Sequence, residues 1–145
     1  MSQAASCKAK IGALLLLGAP ILAPEPVAAV EAKLDPVRIV ALGDSLTAGF
    51  GLRSSEAFPV RLQAALRAKG YTVTVANAGV SGDTSAGALA RMSRSIPKGT
   101  DLVIVELGAN DILRGVSPAS METNLDRILS QLRAGGSEVV LAGMI

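Results

Sequence analysis

The chain has 145 residues, enough for one domain with a buried core, and half of them are hydrophobic against 18% charged. The 14 Lys and Arg and 12 Asp and Glu leave a formal charge of +2, scattered singly, with no basic stripe of the kind that tracks a nucleic-acid backbone. A lone cysteine, Cys7, excludes an intrachain disulfide, and the absence of any histidine removes the usual general base for a serine nucleophile.

Residues 1–29 read as a signal peptide. Lys8 and Lys10 form a positive n-region, Ile11 to Leu22 an apolar stretch broken by Gly18 and Pro20, and Val27-Ala28-Ala29 a cleavage site of small residues. Cleavage is expected after Ala29, with Ala32 as second choice, so that the exported chain, periplasmic or secreted, begins near Val30. The apolar stretch is short for a membrane span; an uncleaved anchor is the alternative reading, and no stable span is expected after cleavage. Cys7 precedes that stretch and reads as incidental.

Val37 to Leu42 is a run of β-branched and apolar residues ending at Gly43-Asp44-Ser45-Leu46, which predicts a buried strand and a sharp turn. Ser45 then sits just past the strand's carboxyl end, where it is either a nucleophile or part of a turn that caps the next helix. Thr47 to Glu56 is a small-residue loop or short helix. Phe58 to Lys69 predicts a helix with Pro59 in its first turn, Phe58, Leu62, Ala65 and Leu66 on one face, and Gly70 as its stop. Tyr71 to Ala76 alternates as a strand, and Asn77 to Thr84 is a polar, glycine-containing loop. A helix over Ser85 to Ile96 carries Leu89, Met92 and Ile96 as its stripe. Asp101 to Leu107 predicts a third strand ending at a Gly108-Ala109-Asn110-Asp111 turn. Ser117-Pro118 opens a third helix lined by Met121, Leu125, Ile128, Leu129 and Leu132 and closed by Gly135-Gly136; Glu138 to Met144 starts a fourth strand.

Strands alternating with helices of this length predict an α/β fold, a parallel sheet with helices on both faces. In such a sheet all carboxyl ends lie along one edge, so the three strand-following turns must gather there. If the first and third strands are neighbours, the crevice between their turns is the topological switch point. That edge carries a serine hydroxyl at Ser45, a backbone N–H at Gly82 that a ligand can approach closely, and a side-chain amide at Asn110. Backbone N–H groups with an asparagine amide can bind the oxyanion of a carbonyl under attack, which points to acyl transfer. Taken singly, Gly82 can serve only a tight turn and Asn110 only a cap. The G-x-S-x-G elbow, the G-x-x-x-x-G-K-[ST] phosphate loop and G-x-G-x-x-G are not matched, and no His/Cys cluster offers a zinc site. Asp35, Asp101 and Glu106 read as solvated strand-end charges rather than as a catalytic carboxylate pair.

With these residues in place, the chain resembles the SGNH, or GDSL, hydrolases, and among them the bacterial periplasmic branch of thioesterase I/lysophospholipases and arylesterases. The likeness rests on Gly43-Asp44-Ser45-Leu46 with Thr47-Ala48-Gly49, on Asn77 to Thr84, and on Glu106 to Asp111 with Leu113-Arg114-Gly115, in order and over nearly all of the mature chain. It implies a flavodoxin-like sheet and Ser45 as nucleophile. It also implies an oxyanion hole from Ser45, Gly82 and Asn110, with Asp44 and Asp111 as loop-ordering residues. The implied substrates are small esters and thioesters (lysophospholipids, acyl thioesters, aryl esters), with no metal or other cofactor and no nucleic-acid partner. The family's Asp-x-x-His block, which supplies the triad acid and base, has no counterpart here. Residues 30–145 therefore read as the N-terminal part of a single SGNH hydrolase domain lacking its C-terminal part. Alone, it is expected to be inactive and to expose an apolar sheet edge. Two other readings stay open: a non-catalytic lipid- or acyl-binding relative that keeps the pocket without the base, and a flavodoxin-like nucleotide- or flavin-binding domain, which the missing phosphate loop disfavours.

Overall fold

A computed structural model describes residues 35–143. The expected signal peptide at 1–29 and Met144 of the fourth strand lie outside the described residues. The chain order is β1 (Val37–Gly43), α1 (Ser45–Ala48), a 3-10 turn (Ser54–Glu56), α2 (Phe58–Ala68), β2 (Val73–Gly79), α3 (Ser85–Ser95), β3 (Leu102–Glu106), α4 (Ala109–Leu113), α5 (Pro118–Ala134) and β4 (Glu138–Ala142).

The four strands form one parallel sheet in the order β2-β1-β3-β4, the α/β architecture expected. β1 is central because its residues Ile39 to Leu42 are apolar on both faces, and all four are buried. The chain runs from β1 to β2, then crosses back over β1 to β3. That reversal puts the switch point between β1 and β3, where Gly43 pairs with Glu106. It also sends the intervening helices to opposite faces, since each crossover is right-handed. On one face α3 and α5 cover Leu42, Val103 and Val105, and Ala88, Met92, Ile128 and Leu132 complete that core. Burying each of these Leu, Ile or Met side chains contributes roughly 1.5–3 kcal/mol.

The element limits are met to within a few residues, with three differences. α2 buries only Pro59; Leu62 and Leu66 are half-buried, while Ala65 and Phe58 face solvent, Phe58 with 41% of its surface exposed. The helix rests on β2, an outer strand, so only one flank of its apolar stripe finds a surface to cover. β2 begins at Val73 because Tyr71 is used to close α2, its N–H donating back to Leu66. At its other end β2 continues through the polar Asn77 to Gly79, since pairing with the central strand outweighs composition. The two turns after β1 and β3 each wind into one helical turn, α1 and α4. β4 is the far edge of the sheet, and its Val140 and Leu141 are exposed.

Gly79 lets the backbone of α1 lie close against β2. A Cβ there would overlap the backbone nitrogen of Ala48 and come within 2.7 Å of its Cα. Gly79→Ala is therefore expected to push α1 off the sheet and destabilise the fold by about 1–3 kcal/mol, the usual range for forced overpacking. Thermal unfolding checks this; an unchanged midpoint would mean that α1 shifts freely.

Candidate active site

The three turns meet at the carboxyl edge of the sheet and are joined by hydrogen bonds. The Val80 N–H donates to the Gly43 carbonyl at 3.0 Å, tying the loop after β2 to the end of β1. Asn110 Nδ2 donates to Asp44 Oδ2 at 2.9 Å, tying α4 to the turn that carries Ser45. Arg114 Nη2 donates to the Gly82 carbonyl at 2.7 Å, tying the residue after α4 to the second loop.

Asp44 is the hinge of this arrangement. Its side chain is buried, with 1% of the residue exposed. One carboxylate oxygen accepts the Leu46 N–H at 3.0 Å, capping α1, and the other accepts Asn110. One carboxylate thus joins the start of Ser45's helix to the Asn110 amide. Ser45 is the first residue of α1 and half-buried, so its position is set by the cap while its surface stays partly open.

Asp111 acts on the other side of α4. Also 1% exposed, it accepts the Ser85 N–H at 2.8 Å and the Ser85 Oγ–H at 2.6 Å, and Asn124 Nδ2 donates to the same Ser85 oxygen at 3.1 Å. α3, α4 and α5 are pinned at one buried polar point, with every buried side-chain polar atom among the described residues satisfied. Gly82 lies in the left-handed region at φ +82°, where L side chains are strained by roughly 1–2 kcal/mol.

Glu106 departs from the expected solvated strand end. It is half-buried, and Thr47 Oγ1 donates to its Oε2 at 2.9 Å. Asp101 does match that expectation: it is exposed and accepts the Arg38 N–H at 2.7 Å. Burial pushes the Glu106 carboxyl above its ordinary 4.5, the Thr47 hydrogen bond opposes it, and the charge of Asp44 adds to the rise. The folded state thus holds this proton more tightly than the unfolded chain. Its stabilising contribution is complete below 4.5 and is lost as pH rises through the elevated folded value. Glu106→Gln is expected to raise the unfolding temperature near neutral pH, with the gain vanishing below 4.5. Unfolding scans across that range check it, and a gain independent of pH would remove the titration as its cause.

Around this centre the edge is apolar. Leu46, Phe50 (79% exposed), Leu52, Val80, Ile112 and Leu113 (82% exposed) all present large side chains to solvent. Beside α4 a cleft of about 230 Å³ is lined by Leu107, Ile112, Met121, Leu125 and Leu141. The sequence pattern alone missed the Thr47–Glu106 and Ser85–Asp111 pairs, because each joins residues far apart in the chain. A part-buried pairing of Asp83 with Arg91 was missed as well.

Residues 41–145 match the GDSL-like Lipase/Acylhydrolase family. Esterase TesA of Pseudomonas aeruginosa is 42% identical over 107 residues, covering 73% of this chain and 53% of that protein. The Escherichia coli protein named thioesterase 1/protease 1/lysophospholipase L1 is 39% identical over 104 residues, covering 71% and 49%. The chain thus spans about half the length of the curated relatives it matches. The crystal structure of AlinE4, an SGNH-hydrolase family esterase, superposes with a TM-score of 0.72 at 46% identity, covering 76% of this chain and 60% of that one. With its parallel sheet and its GDSL turn, the chain belongs to the GDSL-like Lipase/Acylhydrolase family, the SGNH hydrolases.

Proposed function

We propose that this chain carries the nucleophile and the oxyanion-binding groups of a serine hydrolase that cleaves carboxylic esters and thioesters. Ser45 Oγ attacks the carbonyl carbon and passes its proton to a base. The carbonyl oxygen becomes an oxyanion held by the Ser45 and Gly82 N–H groups and the Asn110 amide. Collapse expels the alcohol or thiol and leaves an acyl group on Ser45; water, activated by the same base, then releases the acid. The observation that carries this reading is the Asp44 carboxylate, which holds the Ser45 turn and the Asn110 side chain in one unit. The apolar rim favours substrates with an acyl or aryl group over small polar esters.

The 145 residues contain no histidine. As they stand they are proposed to lack the base, whose loss in a serine protease costs on the order of a million-fold in turnover. The family's Asp-x-x-His would supply it. The test compares hydrolysis of p-nitrophenyl butyrate and palmitoyl-CoA by the 145-residue chain and by the same chain continued through an Asp-x-x-His segment. Turnover only in the longer protein supports the reading. Turnover in neither, with retained acyl binding, would favour the non-catalytic binding protein, which the same apolar rim also fits. Turnover in the 145-residue chain at the level of the longer protein would overturn the role of the missing base.

Export is part of the proposal: residues 1–29 would be removed and the mature chain, from near Val30, released outside the cytoplasm. N-terminal sequencing of the protein recovered from the periplasm or medium tests it, and a chain found there with Met1 intact would count against cleavage.

A further inference from the structure

From α3, the largely buried Arg91 side chain touches two of the three site turns at once. From the second turn of α3, Arg91 Nε donates to Asp83 Oδ2 at 2.7 Å, Nη2 to the Gly43 carbonyl at 3.1 Å and Nη1 to Ser95 Oγ at 3.1 Å. The Arg91 and Asp83 side chains are 13% and 10% exposed. Gly43 lies two residues before Ser45, and Asp83 directly follows Gly82. The guanidinium therefore spans the gap between the two backbone segments that would supply oxyanion donors. Gly87 makes room for this bridge: a Cβ there would overlap Asp83 Oδ1. A glycine inside a helix weakens it relative to alanine, so its presence here answers to the carboxylate rather than to the helix.

We propose that Arg91 is a positioning residue of the active site: through Gly43 and Asp83 it fixes the spacing of the Ser45 and Gly82 N–H groups. The inference rests on the proposed roles of Ser45 and Gly82. An oxyanion exists only in the transition state and the tetrahedral intermediate, so a relaxed spacing lowers kcat and leaves KM nearly unchanged. Displacement of reacting groups by about 1 Å can cost roughly a hundred-fold. Lysine separates this role from a simple ion pair. Its ammonium can still meet Asp83, but a compact point charge cannot reproduce the flat fork that reaches Asp83, Ser95 and the Gly43 carbonyl from three nitrogens.

The test uses the chain continued through an Asp-x-x-His segment, with Ser45→Ala measured alongside. Arg91→Lys is expected to keep the unfolding temperature within a few degrees and the KM for p-nitrophenyl butyrate within about twofold, while kcat falls about ten- to a hundred-fold. Gly87→Ala, which leaves Arg91 intact and favours the helix, is expected to lower kcat in the same way by displacing Asp83. Should Arg91→Lys fail to fold, Gly87→Ala decides. Wild-type kcat in either folded variant, or a fall expressed in KM alone, overturns the positioning role. Activity surviving in Ser45→Ala would instead overturn the reading of the site on which the inference rests.

Discussion

In the chain continued through an Asp-x-x-His segment, Ser45→Ala is expected to reduce ester turnover by about a million-fold while leaving the fold intact. The magnitude follows from how a triad works. Once the nucleophile is gone, the base has no proton to take, and what survives is the roughly thousand- to ten-thousand-fold that an oxyanion hole and binding provide over water. The fold should hold because Ser45 contributes little to it. The cap of α1 comes from Asp44, and Ser45 is half-buried in the first helical position, where alanine is at least as good a helix former. Ser85 provides the contrast. It too has a carboxylate partner, Asp111, but it is fully buried and its hydroxyl is shared between Asp111 and Asn124. Ser85→Ala leaves a buried carboxylate short of a donor, at a cost of about 1–3 kcal/mol, and should cut stability much more than it cuts chemistry. Assaying kcat/KM and thermal unfolding on both variants separates the two serines. If Ser85→Ala were the inactive one and Ser45→Ala the active one, the nucleophile would have been placed on the wrong turn.

The edge on which Ser45, Gly82 and Asn110 meet is legible in the sequence because parallel topology leaves no choice. Three strand-like runs, each followed by a polar glycine-containing turn and a helix, must put those turns on one side. The neighbour relation of β1 and β3 followed only conditionally, since strand order depends on which way each crossover turns. The register confirms it, with Gly43 opposite Glu106. What stayed hidden is of one kind. Asp83–Arg91, Thr47–Glu106 and Asp111–Ser85–Asn124 are polar contacts made across elements, and a side chain's exposure cannot be read from its own neighbours in the chain. Glu106 is the clearest case. At the end of a strand it looks solvated, yet α1 folds down over it because Gly43 and Gly79 leave room for the helix against the sheet. Phe58 failed in the opposite sense. Its place on an apolar stripe predicts burial, but α2 lies over an outer strand, which offers too little surface to cover it. Gly79 and Gly87 carried the missing signal: each is a small residue where local structure alone would tolerate a larger one, and each makes room for a contact at the site.

Asn110→Ala is the second large expected effect: kcat lower by about a hundred- to a thousand-fold, the usual range for one lost oxyanion donor, with KM nearly unchanged. The amide has two N–H groups. One is spent on Asp44 Oδ2 at 2.9 Å, which fixes the plane of the amide and leaves the other as the candidate oxyanion donor. α4 should survive the change, because Asp111 anchors it to Ser85 and alanine suits a helix. Asn110→Asp should be worse, since it sets a second carboxylate against Asp44 and turns a donor into an acceptor. The role of Asp44 can then be separated by a double-mutant cycle. Asp44→Asn keeps an oxygen for the Leu46 N–H but sets an amide N–H₂ against Asn110, so it should release the Asn110 side chain and lower kcat by itself. Added to Asn110→Ala, it should cost little more, because the group it aims is already gone. A double variant that loses the sum of both effects would mean that Asp44 serves the reaction through the Ser45 turn alone, and that the hydrogen bond to Asn110 is structural.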